Sequence, residues 1–205
     1  MDRMIVESMY FPPVSVLSLM GHHQEVWIDE AEHYRKGSFR NKCMINSSSG
    51  PQSLIIPLVK GKNNRQPMSE VLISYDEDWP RQHLAAIRTS YGKSPYFIYF
   101  FDEIEILLYA RYRKLAELNR QCLELLLKYL VPGKKTEVTD LYKKEFEGLD
   151  LRHKILPKNY SGIPVTRYPQ VFEDSVGFVP NLSALDLLFC LGRYSSEVLM
   201  KSPLG

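Results

Sequence analysis

The 205 residues carry a formal net charge of +2, with 44% hydrophobic and 24% charged residues. That composition excludes disorder, and the length is enough to bury a core without disulfide staples. Near-balanced charge excludes a global basic footprint for nucleic acid, so any anion site must be a local cluster.

In chain order, residues 4–9 read as a strand that ends in the aromatic–proline turn Tyr10-Phe11-Pro12-Pro13. Residues 14–22 read as a short helix, with Pro13 suited to its first turn. Val26-Trp27-Ile28 reads as a second strand, closed by Asp29-Glu30. A strand–helix–strand crossover of this kind predicts parallel pairing. Strands follow at 42–45, at 53–59 with Pro57 as an edge or bulge signal, and at 71–75. The polar turn 46–51 and a basic loop over 60–67 separate them. Asp78 caps a helix from Trp79 to about Ser90, with Pro80 in its first turn. A second, aromatic-rich helix covers 96–109, and its acids Asp102, Glu103 and Glu105 read as a solvated face. A third covers 115–131, with Leu115, Leu118, Cys122, Leu125, Leu126 and Tyr129 on one apolar stripe. The last third is less regular. A short element is expected near 138–142 and a strand over 165–172, and Ser183 with Asp186 opens a final helix with a capping-box spacing.

The fold class is therefore α/β, with a βαβ opening, a mixed sheet with an antiparallel part, a helical middle and a C-terminal helix. One domain is expected over 1–205: strand-rich over 1–76, helical over 78–132, and irregular with a final helix over 133–205. Glu7 and the prolines at 12 and 13 interrupt the N-terminal apolar run, which argues against a signal peptide. No run approaches the roughly 20 apolar residues of a membrane span. The three cysteines, Cys43, Cys122 and Cys190, match neither a disulfide framework nor a zinc pattern, which fits a reducing compartment. A cytoplasmic protein is expected.

Phosphate loops and nucleophile elbows are absent from the sequence. The five histidines are His22, His23, His33, His83 and His153. A metal site from His33, His83 and Asp29 or Glu32 is conceivable in three dimensions, but half-buried or surface histidines explain the same pattern, and no metal is assigned. The densest polar constellation is Tyr34-Arg35-Lys36-Gly37-Ser38-Phe39-Arg40-Asn41-Lys42, beyond the end of a predicted parallel strand. Ligands of open α/β sheets bind there. Its cations suit phosphate or carboxylate, and its aromatics suit a base or a sugar face. A solvated basic loop is the alternative. Tyr10 should stand on the same rim. His83, early in its helix, is either a general base or a helix-surface histidine.

Taken together, these motifs resemble the WbqC-like protein family. The resemblance rests on Tyr10-Phe11-Pro12, Asp29-Glu30 and the Lys-x-x-aromatic-x-Asn-basic stretch Lys36 to Lys42. Further along it rests on Gly50-Pro51, the proline strand ending at Pro57, then Trp79, His83, Tyr91 and Ser94-Pro95-Tyr96-Phe97. Their order, over most of the chain, is the specific signal. The chain departs from the family in having Glu7-Ser8 where members often carry His-Gln, Phe39 where tryptophan is common, and Pro13 where a tryptophan commonly follows the first turn. Members occur in bacterial surface-polysaccharide (O-antigen-type) gene clusters. The resemblance implies a glycyl- or acyl-type transferase using a small anionic activated donor and a sugar-type acceptor, and it raises Lys36, Asn41 and His83 as site residues. The expected catalytic groups are His83 and Glu7, and the expected substrate-binding groups are Tyr10, Asp29, Lys36, Arg40, Asn41 and Lys42. No cofactor and no oligomeric state is assigned. The alternative is a non-catalytic module that binds an anion or a partner on the same rim, which the altered Glu7-Ser8 pair favours.

Overall fold

The computed structural model describes residues 2–60 and 66–202. Its centre is a four-stranded parallel sheet in the order β5-β2-β1-β6, with β1 Arg3–Glu7, β2 Glu25–Asp29, β5 Glu137–Val138 and β6 Leu149–Asp150. The register runs from Arg3 opposite Glu25 to Glu7 opposite Asp29, so the predicted βαβ opening is present. β1 is buried from Met4 to Glu7, as expected of a strand inside a parallel sheet and covered on both faces. α1 (Val14–His22) makes the crossover and is buried from Val14 to Met20, consistent with its apolar character all round. Because all four strands run the same way, Glu7, Asp29 and Asp150 end on one rim.

A separate antiparallel pair, β3 (Lys42–Ile45) and β4 (Gln52–Ile55), flanks that sheet. β4 stops before Pro57, where the expected strand over 53–59 would have needed an N–H that proline lacks. The expected strand over 71–75 is not a strand. Its backbone groups are shared out between two partners, with Leu72 accepting from Val59, Ser74 donating to Pro57, and Ile73 donating to Arg113. The expected basic loop over 60–67 lies partly outside the described residues.

The helical middle consists of α2 (Trp79–Tyr91), α3 (Phe97–Tyr109) and α4 (Leu115–Leu130). Asp78 caps α2 by accepting from the Arg81 N–H. The stripe of α4 is buried as the periodicity requires. Glu103 is not merely solvated: it accepts from Lys128 at 2.7 Å and Tyr129 at 2.6 Å, tying α3 to α4.

No strand forms over 165–172. There Thr166 donates to the Ser202 hydroxyl, and the Gln170 side chain bonds Val179, so no ladder develops. A short helix, α5, covers Glu173–Val176. The final helix is two: α6 (Ala184–Leu191) and α7 (Ser195–Lys201), divided at Gly192, whose φ is +53°. The Tyr96 ring occupies the space a Cβ would need at Gly192. Ser183 caps α6 through Leu185, but Asp186 does not complete a capping box. It is fully buried and accepts from Tyr168 and Gln170 instead. Buried apolar side chains from Met4 to Leu199 form one connected core.

Candidate functional site

Of the three carboxylates at the ends of parallel strands, Glu7 and Asp29 are buried and must be neutralised or protonated, while Asp150 is partly exposed. Each meets an arginine. Asp29, fully buried, accepts from the Ala31 and Glu32 N–H groups and from Thr139 Oγ1 through one oxygen. Its other oxygen accepts from Arg152 Nη1 at 2.7 Å. Arg152 also binds Asp150 through Nε and Nη2, at 3.0 and 2.6 Å. Asp29 thus shapes the turn after β2 and fixes it to the residues after β5 and β6.

Arg40 is fully buried and lies between two glutamates. Its Nε donates to Glu32 Oε1 at 3.0 Å, its Nη2 to the same oxygen, and its Nη1 approaches Glu7 Oε1 at 3.4 Å. Asn119 on α4 holds the Arg40 carbonyl at 2.8 Å. Glu7 Oε2 accepts the backbone N–H of His153 at 2.9 Å. His153 has φ of +63°, a left-handed conformation uncommon for a residue with a Cβ. In this conformation its N–H meets Glu7 while its ring turns back toward Arg40 and Glu32.

The protonation of that ring follows from its neighbours. Arg40 Nη2, only a donor, stands 3.4 Å from His153 Nδ1, so Nδ1 accepts and the ring proton sits on Nε2. Nε2 is 3.4 Å from Glu32 Oε2, an oxygen with no hydrogen-bond partner among the described residues. Burial pushes the Glu32 carboxyl up to about 7, against Arg40, with Glu7 and Asp29 adding repulsion. Burial, then Arg40, Arg35 and Arg152, hold His153 below its ordinary value. Burial also raises Glu7, opposed by Arg40 and the His153 N–H. Glu32 is therefore the member of this pair whose charge changes near neutrality, while a neutral His153 turns its Nε2–H toward it.

This pair forms part of the wall of an open cleft of about 620 Å³. The remaining wall is Ala31, His33, Tyr34, Arg35, Lys36 and Tyr142. Among the described residues, no three of His, Cys, Asp and Glu stand together as a metal site. Cys43, Cys122 and Cys190 are buried free thiols, and burial raises the pKa of each.

The structure brings Glu7, Asp29 and Arg40 together and places Lys36 on the cleft wall. It does not bring Tyr10, His83 or Asn41 to that wall. Tyr10 is fully buried, and its hydroxyl meets His83 Nδ1 at 3.0 Å. His83 Nε2 donates to the Ile55 carbonyl at 3.2 Å, and burial lowers its pKa to about 4, so it is neutral. The reason is the facing of α2, which presents His83 inward beside Trp79, at 5.0 Å between rings. Asn41 accepts from Tyr34 at 3.0 Å and donates to Ile56 at 2.9 Å, pinning the segment to the hairpin. Lys42 begins β3 and faces a second groove.

Sequence reasoning gave no site role to His153, Arg152 or Asp150, and named Glu32 only as a conceivable metal partner. A faint signal existed: Leu149-Asp150-Leu151-Arg152 alternates with period two and, like β1 and β2, puts an acid after apolar residues.

The carboxyl rim of the parallel sheet thus carries an acid–arginine–histidine cluster, in the position where open α/β sheets bind ligands. The chain belongs to the WbqC-like protein family, which matches residues 7–156, a span that holds Glu7, Asp29, Glu32, Arg40 and His153. It is also similar to the uncharacterized protein Rv1507c of Mycobacterium tuberculosis, with 27% identity over 225 residues covering 95% of this chain and 96% of the relative. No solved structure matches. No helix among the described residues is long and apolar enough to cross a membrane.

Proposed function

We propose that the chain is a transferase of surface-polysaccharide biosynthesis that passes an acyl or aminoacyl group from an anionic activated donor to a sugar-type acceptor in the 620 Å³ cleft. The observation that carries this reading is the unpaired Glu32 Oε2, on a carboxyl near neutrality, facing His153 Nε2. Glu32 acts as general base: its Oε2, covered in the free protein, is reached as the acceptor enters beside the His153 ring and takes the proton of the acceptor hydroxyl or amine as that atom bonds to the acyl carbon. The donor's leaving group departs with the electron pair of the broken bond. His153 steadies the carboxylate through its Nε2–H. Arg35 and Lys36 hold the donor's anion at the mouth. Glu7 and Arg40 act through these two groups as positioning residues.

The test is product formation, followed by mass spectrometry, from a panel of aminoacyl and acyl donors with amino- and hydroxy-sugar acceptors. Turnover that falls about a hundredfold or more in Glu32→Gln supports the reading. Turnover indifferent to Glu32→Gln and to His153→Asn overturns it. One observation favours a non-catalytic binding module instead: Glu7, standing where family members often carry histidine, is consumed by Arg40 and the His153 N–H. A donor bound stoichiometrically and never consumed would support that second reading.

A further inference from the structure

Beside the cleft runs a second groove of about 490 Å³, bounded by the turn around Gly37, the first residue of β3, and the chain from Ile55 to Lys60. Three lysines line it: Lys36, Lys42 and Lys60. No carboxylate among the described residues lines it. None of the three has an ion-pair partner among the described residues. Three lysines in one concavity, without ion-pair partners among the described residues, make a local basic excess in a chain whose net charge is only +2. The platform is firm, because Lys42 and Ile55 are cross-strand partners on the β3–β4 hairpin and Asn41 clamps Ile56 and Tyr34.

We infer that this groove seats the phosphate groups of a phosphorylated substrate, whose reacting end lies across Lys36 in the neighbouring cleft. Two features fix the ligand class. A single carboxylate would neutralise one lysine of three, whereas linked phosphates carry enough charge for all of them. Among the described residues the three lysines surround one groove rather than an extended face, which favours a small ligand over a nucleic acid. Tyr34 and Lys36 line both cavities, so a ligand in the groove is continuous with the cleft. Exposed Ile55, beside Lys42, offers an apolar contact to the group that bears the phosphates. The inference rests on the proposed transfer reaction, and it specifies the donor as a phosphate-linked compound.

The experiment is calorimetric titration of the full chain with inorganic pyrophosphate at fixed ionic strength. One saturable site is expected, weakened about tenfold by Lys42→Ala and by Lys60→Ala, each of which removes one charge-assisted contact. Lys135→Ala, an exposed lysine elsewhere, should leave binding unchanged. Glu32→Gln should also still bind, since it alters only the cleft. Absence of pyrophosphate binding overturns the inference. So does an equal loss in Lys135→Ala, or displacement by a single-stranded RNA oligomer at comparable affinity. Binding is read without turnover, so its failure leaves the acid–base role of Glu32 standing, and a failed turnover screen leaves the titration interpretable.

Discussion

Replacing Arg40 with methionine should destabilise the protein in a pH-dependent way. The methionine fills much of the space of the stem but removes the guanidinium from a site with no exposure. Glu32 and Glu7 then stay buried without their shared cation. Removing one partner of a buried ion pair costs about 3–5 kcal/mol. For a chain of this size, that corresponds to a fall in Tm of about 10 °C. Arg40 lowers both carboxyls in the native protein, so in Arg40→Met both rise further. A carboxyl whose folded pKa lies above its unfolded value, here 4.5, contributes stability that is complete below 4.5 and is lost as pH rises through the folded value. The deficit of Arg40→Met against wild type should therefore be smaller near pH 5 and larger at pH 8, above the wild-type Glu32 value of about 7. Urea melts of both proteins at the two pH values, at matched ionic strength, measure it. A deficit equal at the two values, or larger at pH 5, would refute the argument that buried carboxylate charge sets the cost.

Other outcomes follow from the same geometry. His83 is buried and depressed from 6.5 to about 4, so it contributes stability above pH 6.5 that is lost as pH falls through 4, roughly 3 kcal/mol in all. His83→Gln should lose less stability than wild type over that window, as read from melts at successive pH values. Tyr10→Phe leaves His83 Nδ1 without its partner and should cost about 1–3 kcal/mol in the same assay. Gly148 has φ of +140°, and an added Cβ would lie 2.5 Å from the Arg3 carbonyl, so Gly148→Ala should cost about 1–3 kcal/mol. Because β6 leads directly into Arg152 and His153, pH-dependent ligand binding in the cleft should weaken with it, as a titration of wild type and variant would check.

Local pattern was enough for much of the fold. The β-branched run of β1, the apolar α1 and the strand Val26 to Ile28 specify a parallel βαβ unit, and the α4 stripe and the Asp78 cap specify their helices, because these features are written in neighbouring residues. The strands expected over 71–75 and 165–172 failed where backbone hydrogen bonds go to unrelated segments and side chains, a choice no local period records. The segment from Tyr34 to Lys42 divides in the same way. Its position beyond a parallel strand was legible, and Lys36 does line the cleft. Its most polar member, Arg40, is wholly buried, because two carboxylates distant in sequence from each other meet it there.

The sequence by itself determined the α/β class, the parallel βαβ opening and the family membership. Only the tertiary structure decided which groups share the carboxyl rim of the sheet. It carried His153 across more than a hundred residues of chain to the side of Glu32, and it turned His83 into the core. Nearest-neighbour rules of spacing and periodicity set the elements. Burial and the pairing of distant charges set the site, and both depend on contacts between residues that sequence order keeps far apart.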